Sequence, residues 1–161
     1  MDLSESTDSL DAIVVESTGI SEPIHVAETF AHAKNIEKGK KLLSLVRLDT
    51  MVTLIDCSSF FAHFKAPKHA VPIHTKEGDV SESIICPSTQ DSTHPRTLTD
   101  LLIDQIQFAD VIILNKEDAV SSSILSNVRA VITDLNPLAQ IITTTRGRVE
   151  LSEVINTGIH S

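Results

Sequence analysis

Short apolar runs alternate with longer stretches in which apolar residues recur every three or four positions. The runs are Asp11-Ala-Ile-Val-Val-Glu16, Met51-Val-Thr-Leu-Ile55 closed by Asp56, Asp110-Val-Ile-Ile-Leu114 and Ala139-Gln-Ile-Ile-Thr143. Such runs, rich in β-branched residues and bounded by polar ones, predict buried strands. Between them, His25 to Asn35, Glu37 to Leu48 and 57–65 read as helical. Leu98, Leu101, Leu102, Ile106 and Ala109 then fall on one helical face, with Thr97 or Thr99 as N-cap. Ser121 to Leu135 predicts an amphipathic helix through Ile124, Leu125, Val128, Val131 and Ile132 that stops before Asn136-Pro137, and Val149 to Ile155 a last helix. Ser17 to Pro23 is a loop, with Pro23 suited to a first helical turn.

All-apolar strands alternating with amphipathic helices predict an α/β fold with a parallel sheet covered on both faces. Three parts depart from this rhythm. Residues 1–10 are acidic and Ser-rich and are expected to be disordered. Residues 65–96 carry four prolines and Gly78 and read as a surface insertion, and 159–161 form a tail.

Composition narrows the function. A chain of 161 residues suffices for one domain with a core, which must be aliphatic because Trp and Tyr are absent. The net charge of −9 argues against a nucleic acid or an anionic membrane as partner. No apolar run approaches the ~20 residues that span a bilayer, and Met-Asp-Leu-Ser-Glu-Ser lacks the basic-plus-apolar pattern expected of a signal peptide. Cys57 and Cys86 have no paired spacing, which fits a reducing compartment and leads to the expectation of a cytoplasmic protein.

The candidate chemistry lies at the carboxyl ends of the strands, where ligands of open parallel sheets bind. The apolar run from Asp110 ends in Asn115-Lys116-Glu117-Asp118. A carboxylate at Asp118 can accept from both N1–H and the exocyclic amino group of guanine, a pair of donors that adenine lacks. Lys116 can lay its alkyl stem along the base, and Asn115 can hold the loop or reach the N7/O6 edge. Sites that hydrogen-bond one specific group reject analogues lacking it by roughly 10⁴-fold or more. At another strand end, Glu16-Ser-Thr-Gly19 combines a carboxylate that can hold a Mg²⁺-bound water or orient an attacking one with a glycine whose N–H can approach a phosphate. The expectation is that the two acidic termini, Glu16 and Asp118, flank one pocket.

Asp56 reads either as a site carboxylate or as a cap for the following helix. His63, His69, His74 and His94 with Cys86 match no compact ligand spacing, so no metal site is assigned. His25 and His32, seven apart, share a helix face as surface or packing residues, and Lys38, Lys40 and Lys41 read as a solvated face.

Together Glu16-Ser-Thr-Gly-Ile-Ser-Glu-Pro23, Asp49-Thr-Met-Val-Thr-Leu-Ile-Asp56, Asp104 to Asp118 and Leu135-Asn-Pro-Leu-Ala139 resemble successive blocks of CobW-type GTPases. These metal-handling proteins are relatives of the GTPases that mature hydrogenase and urease. The resemblance runs from about residue 11 to residue 158. It implies a Rossmann-like, three-layer P-loop-GTPase domain that binds and hydrolyses GTP with Mg²⁺ and delivers a transition metal, commonly zinc or cobalt, to a metalloprotein client. By this likeness Glu16 and Gly19 fall in the catalytic switch region, Asn115, Lys116 and Asp118 in the guanine site, and Thr145 in the last base-contacting segment.

The chain also departs from the family. Its five glycines form no Gly-x-x-Gly-x-Gly-Lys-Thr/Ser phosphate loop: the position five before Gly39-Lys40 is Lys34. The Cys-x-Cys-Cys metal motif is absent. The expectation is therefore an incomplete domain at 11–158 that lacks the P-loop strand, binds nucleotide weakly or not at all, holds no cofactor tightly and is inactive alone. The alternative is a truncated, non-catalytic interaction module or an incompletely read gene.

Overall fold

A computed structural model describes residues 10–17, 23–64 and 97–160. Gly19 and the stretch 65–96, with His69, His74, Cys86 and His94, lie outside the described residues. So do residues 1–9 and Ser161. Five helices and three strands follow in the order α1 (Pro23–Ala33), α2 (Glu37–Leu43), β1 (Val52–Asp56), α3 (Phe60–Phe64), α4 (Leu98–Gln107), β2 (Val111–Asn115), α5 (Ser122–Leu135) and β3 (Gln140–Thr144). The strands form a parallel sheet in the order β1-β2-β3. The fold is α/β, as the alternation of strand and helix patterns predicts.

Register follows from the apolar pattern. Ile55 pairs with Leu114, and Ile112 stands two residues before Leu114 on the same face. That face is packed by Phe60 of α3, Ile106 of α4, and Val128 and Ile132 of α5 into one buried cluster. The opposite face is covered unevenly, which corrects the expectation of a sheet buried on both sides. Val111 and Ile113 are buried there, whereas Val52 and Leu54 beside them are 42% and 60% exposed. No strand among the described residues pairs with the free edge of β1.

The run Asp11–Glu16 is not a strand. It is irregular and pairs with no strand among the described residues, with Ile13, Val14 and Val15 at 57–77% exposure. A strand is stable only when a neighbour takes its ladder hydrogen bonds, and apolar composition alone supplies none.

Two predicted helices are shorter than their apolar spacing suggests. α2 ends at Leu43, where Ser44 Oγ donates to the Lys41 carbonyl (2.7 Å) and the N–H groups of Leu45 and Val46 both reach back to Leu42. Leu45 beyond it is 75% exposed, so continuing the helix would bury nothing. Only a 3₁₀ turn, Leu151–Glu153, replaces the helix predicted at 149–155. There the chain is drawn to the segments leading into β1 and β2: the N–H groups of Thr157 and Gly158 donate to Asp49 (3.0 and 3.1 Å), and His160 pairs with Asp110 (3.0 Å).

Two polar devices fix the helices packed on the sheet. Thr97 and Asp100 form a reciprocal capping box at the start of α4. Asn136, buried after α5, donates through Nδ2 to the carbonyls of Ile106 (2.8 Å), Gln107 (3.2 Å) and Ala109 (2.9 Å). Its Oδ1 accepts from the N–H groups of Leu138 and Ala139. One side chain thus satisfies the end of α4, the turn into β2 and the turn into β3.

Candidate nucleotide site

Parallel pairing lines up the carboxyl ends of the strands, with Asp56 beside Asn115 and Asn115 beside Thr144. β2 is buried from Val111 to Leu114 and opens to solvent at Asn115. Lys116 then adopts a left-handed conformation (φ 61°, ψ 38°) and turns the chain into a short 3₁₀ segment, Glu117–Ala119. Non-glycine residues there cost roughly 1 kcal/mol each, so the turn must be held by its contacts. The Lys116 carbonyl accepts from the Ala119 N–H (3.0 Å), and Ser121 caps α5 immediately beyond.

Each residue of the Asn-Lys-x-Asp segment has a different fate. Asn115 Oδ1 accepts from the Gly147 N–H at 2.9 Å, tying the end of β2 to the loop after β3. Lys116 Nζ donates to Asp56 Oδ2 at 2.6 Å. Asp118 is exposed and has no hydrogen-bond or ion-pair partner among the described residues, so both its oxygens are available to a ligand.

The loop after β3 is shaped by Arg146 and Gly147, both left-handed (φ 58° and 64°), and closed by Thr144 Oγ1 donating to the Arg148 carbonyl at 2.6 Å. Thr145, half-buried, precedes them.

Asp56 acts in two directions. Its Oδ1 accepts from the Ser58 N–H (2.9 Å) and Oγ (2.6 Å), shaping the turn toward α3, while Oδ2 holds Lys116. The hydrogen bond from Lys116, followed by that from Ser58, lowers its carboxyl to a pKa of about 2. Neighbouring Cys57 is buried, and its N–H donates to the Asn115 carbonyl (3.1 Å). Burial, with the charges of Asp56 and Glu117, raises its thiol pKa and leaves it a packing residue and not a nucleophile.

The structure therefore gathers Asn115, Lys116, Asp118 and the segment at Thr145 at one end of the sheet. Glu16 is not joined to them: it is exposed in the unpaired 11–16 segment and shares no hydrogen bond with these residues. His25 and His32 are exposed on α1, and no three ligating side chains converge among the described residues. Gly147 escaped sequence reasoning, although a glycine just past a strand within Thr-Thr-Arg-Gly-Arg was a signal for a tight loop. The pairing of Asp56 with Lys116 had no sequence signal, because the two are 60 residues apart.

Comparison with known proteins bears on this end of the sheet. The model of the CobW/HypB/UreG nucleotide-binding domain matches residues 1–143, a span that includes β1, β2 and all of β3 but its last residue, Thr144. The chain belongs to the CobW/HypB/UreG family. It is 36% identical over 151 residues to the zinc-regulated GTPase metalloprotein activator 1 of Dictyostelium discoideum, covering 92% of this chain and 28% of that protein. The protein of the same name from Schizosaccharomyces pombe is 35% identical over 147 residues, or 91% and 27% of the two chains. The zinc chaperone CobW of Pseudomonas aeruginosa is 26% identical over 143 residues, or 88% and 34%. The chain thus spans about a quarter to a third of the length of these CobW-family relatives. No solved structure matches it.

Proposed function

We propose that this chain carries the guanine-recognition part of a GTPase that delivers a metal to a metalloprotein client. The observation that carries the reading is the Asn115–Gly147 hydrogen bond, which joins the end of β2 to the loop after β3 beside the unpartnered Asp118 carboxylate. In this arrangement Asp118 accepts from guanine N1–H and the exocyclic amine, Lys116 lies along the base, and Thr145 belongs to the loop at the base's edge. Glu16 and Gly19 have the switch role, toward the terminal phosphate. The names of the CobW-family relatives, a zinc-regulated activator and a zinc chaperone, support zinc as cargo, with GTP and Mg²⁺ as the nucleotide and its ion. The buried, free Cys57 fits the expected cytoplasmic residence.

The chain's glycines form no phosphate loop, so its affinity for GTP on its own is weak and it does not turn GTP over. A fluorescent-GDP titration tests this, and submicromolar affinity would place a phosphate site elsewhere in the chain. Ligand-observed NMR with guanosine and adenosine tests the base site directly. Guanosine alone is expected to bind, and Asp118→Asn is expected to shift preference to xanthosine, whose O2 accepts where guanine donates. Equal binding of guanosine and adenosine by the unaltered chain would refute the guanine reading.

A second reading, a non-catalytic interaction module, is favoured by the exposure of Val52 and Leu54 on one face of β1, whose outer edge pairs with no strand among the described residues.

A further inference from the structure

The base-site reading leaves Asp56 without a role, yet its contacts are unusually complete for a strand-end carboxylate. Register sets it directly beside Asn115. Oδ1 is fixed by both the N–H and the hydroxyl of Ser58, and Oδ2 is left to receive Lys116 at 2.6 Å. Lys116 is thereby restrained at both ends, its backbone by the left-handed turn and its ammonium by Asp56. Its side chain nonetheless remains 53% exposed, so the four-carbon stem crosses from the end of β2 to the end of β1 with a surface open to solvent. A lysine on a surface otherwise samples many rotamers and must be ordered by whatever binds it.

We propose that Asp56 is a positioning residue for nucleobase binding: anchored by Ser58, it holds the Lys116 stem as a pre-ordered apolar rail against which the face of a purine is laid. The inference rests on the base-site reading above and adds a division of labour to it. Asp118 reads the edge of the base and decides guanine against adenine. Asp56, acting through Lys116, sets how well a base face is received and leaves the choice of base unchanged. Ordering a rotamer-rich side chain at the moment of binding weakens affinity by roughly 2- to 10-fold, which is the expected consequence of losing Asp56. The simpler alternative is that Asp56 only shapes the turn between β1 and α3 through Ser58.

The test is a double-mutant cycle on the full chain, with guanosine as the probe and saturation-transfer NMR titration as the readout. The variants are D56N, K116M, the D56N/K116M pair and S58A, each checked by thermal unfolding. The expected result is a roughly 2- to 10-fold weaker guanosine affinity in D56N. No further loss is expected when D56N is added to K116M, and S58A should show a smaller weakening. A purely structural Asp56 would cost the same in both lysine backgrounds, and that outcome overturns the proposal, as does unchanged affinity in folded D56N. Should D56N fail to fold, S58A decides: weakening that vanishes in the K116M background supports the rail, and unchanged affinity overturns it. If the unaltered chain binds no guanosine, the base-site reading itself fails, a result distinguishable because it appears before any substitution is made.

Discussion

Asn115 and Gly147, 32 residues apart, are joined by a hydrogen bond of 2.9 Å from the glycine N–H to the asparagine Oδ1. It couples the end of the central strand to a loop whose backbone is left-handed at two successive residues. Removing the acceptor should therefore release the loop without unfolding the sheet. Asn115→Ala is expected to cost about 1 kcal/mol and to accelerate hydrogen exchange at the Gly147 amide, whereas Asn115→Asp, which keeps an acceptor, should preserve much of its protection. An unchanged exchange rate in Asn115→Ala would show that the loop is held by Thr144 and its own turn.

Gly147 itself offers a clean separation of backbone from packing. An added Cβ would meet nothing within 4 Å, but φ is +64°. Gly147→Ala should then cost only the conformational term, roughly 1 kcal/mol, visible as a modest fall in the thermal midpoint.

Gly39 presents the opposite case. In an ordinary helix interior, Gly→Ala stabilises by about 1 kcal/mol. Here a Cβ would lie 2.2 Å from the Ala33 carbonyl oxygen, because α2 folds tightly back on the end of α1. The clash involves backbone and has no flexible side chain to yield. Gly39→Ala is expected to destabilise the α1–α2 pair by about 1–3 kcal/mol, read as faster amide exchange in both helices.

Asp56 gives stability a defined dependence on pH. Its folded pKa of about 2 lies below the ordinary value of 3.8, chiefly through the Lys116 hydrogen bond and then that of Ser58. A depressed carboxylate contributes stability that is present above the unfolded pKa and lost as pH falls toward the folded one. The window is thus about pH 4 to 2. The carboxylate is a third exposed and Lys116 more so, which limits the contribution to under about 1 kcal/mol after solvent screening. Chemical denaturation at pH 6, 4 and 2.5 should show a decline whose lower part is shallower in Asp56→Asn.

Asn136 is the polar residue on which the packing of α4, α5 and the sheet most depends. Its amide meets three carbonyls and its oxygen two N–H groups, and the residue is buried. Asn136→Ala strands several of these groups without water and is expected to cost about 2–3 kcal/mol in urea denaturation. A loss no larger than that of an exposed Asn→Ala control would mean that solvent replaces the side chain.

Much was legible in the sequence because the governing forces are local. The spacing of Leu98, Leu102 and Ile106 fixed the face of α4, Thr97 announced its start, and Asn136-Pro137 marked the end of α5. The runs predicted at 51–55, 110–114 and 139–143 carried enough apolar and β-branched residues to be read as strands, and the observed strands lie one residue further on. The motif blocks placed the chain in its family for the same reason: each block is contiguous.

Contacts between distant residues decided the rest. The run at 11–16 has as good a strand composition as β1 but no pairing partner among the described residues, and a ladder is a property of two segments. The end of the chain abandons its helical spacing because Asp49, 108 and 109 residues away, accepts from the Thr157 and Gly158 N–H groups, and Asp110, 50 residues away, pairs with His160. Asp56 and Lys116 became a pair only when parallel register set the ends of β1 and β2 side by side. Periodicity and capping residues placed most of the helices and strands, and contiguous motif blocks placed the chain in its family; tertiary structure alone determined which side chains meet at the strand ends, because hydrogen-bond geometry is fixed by position in space and not by distance along the chain.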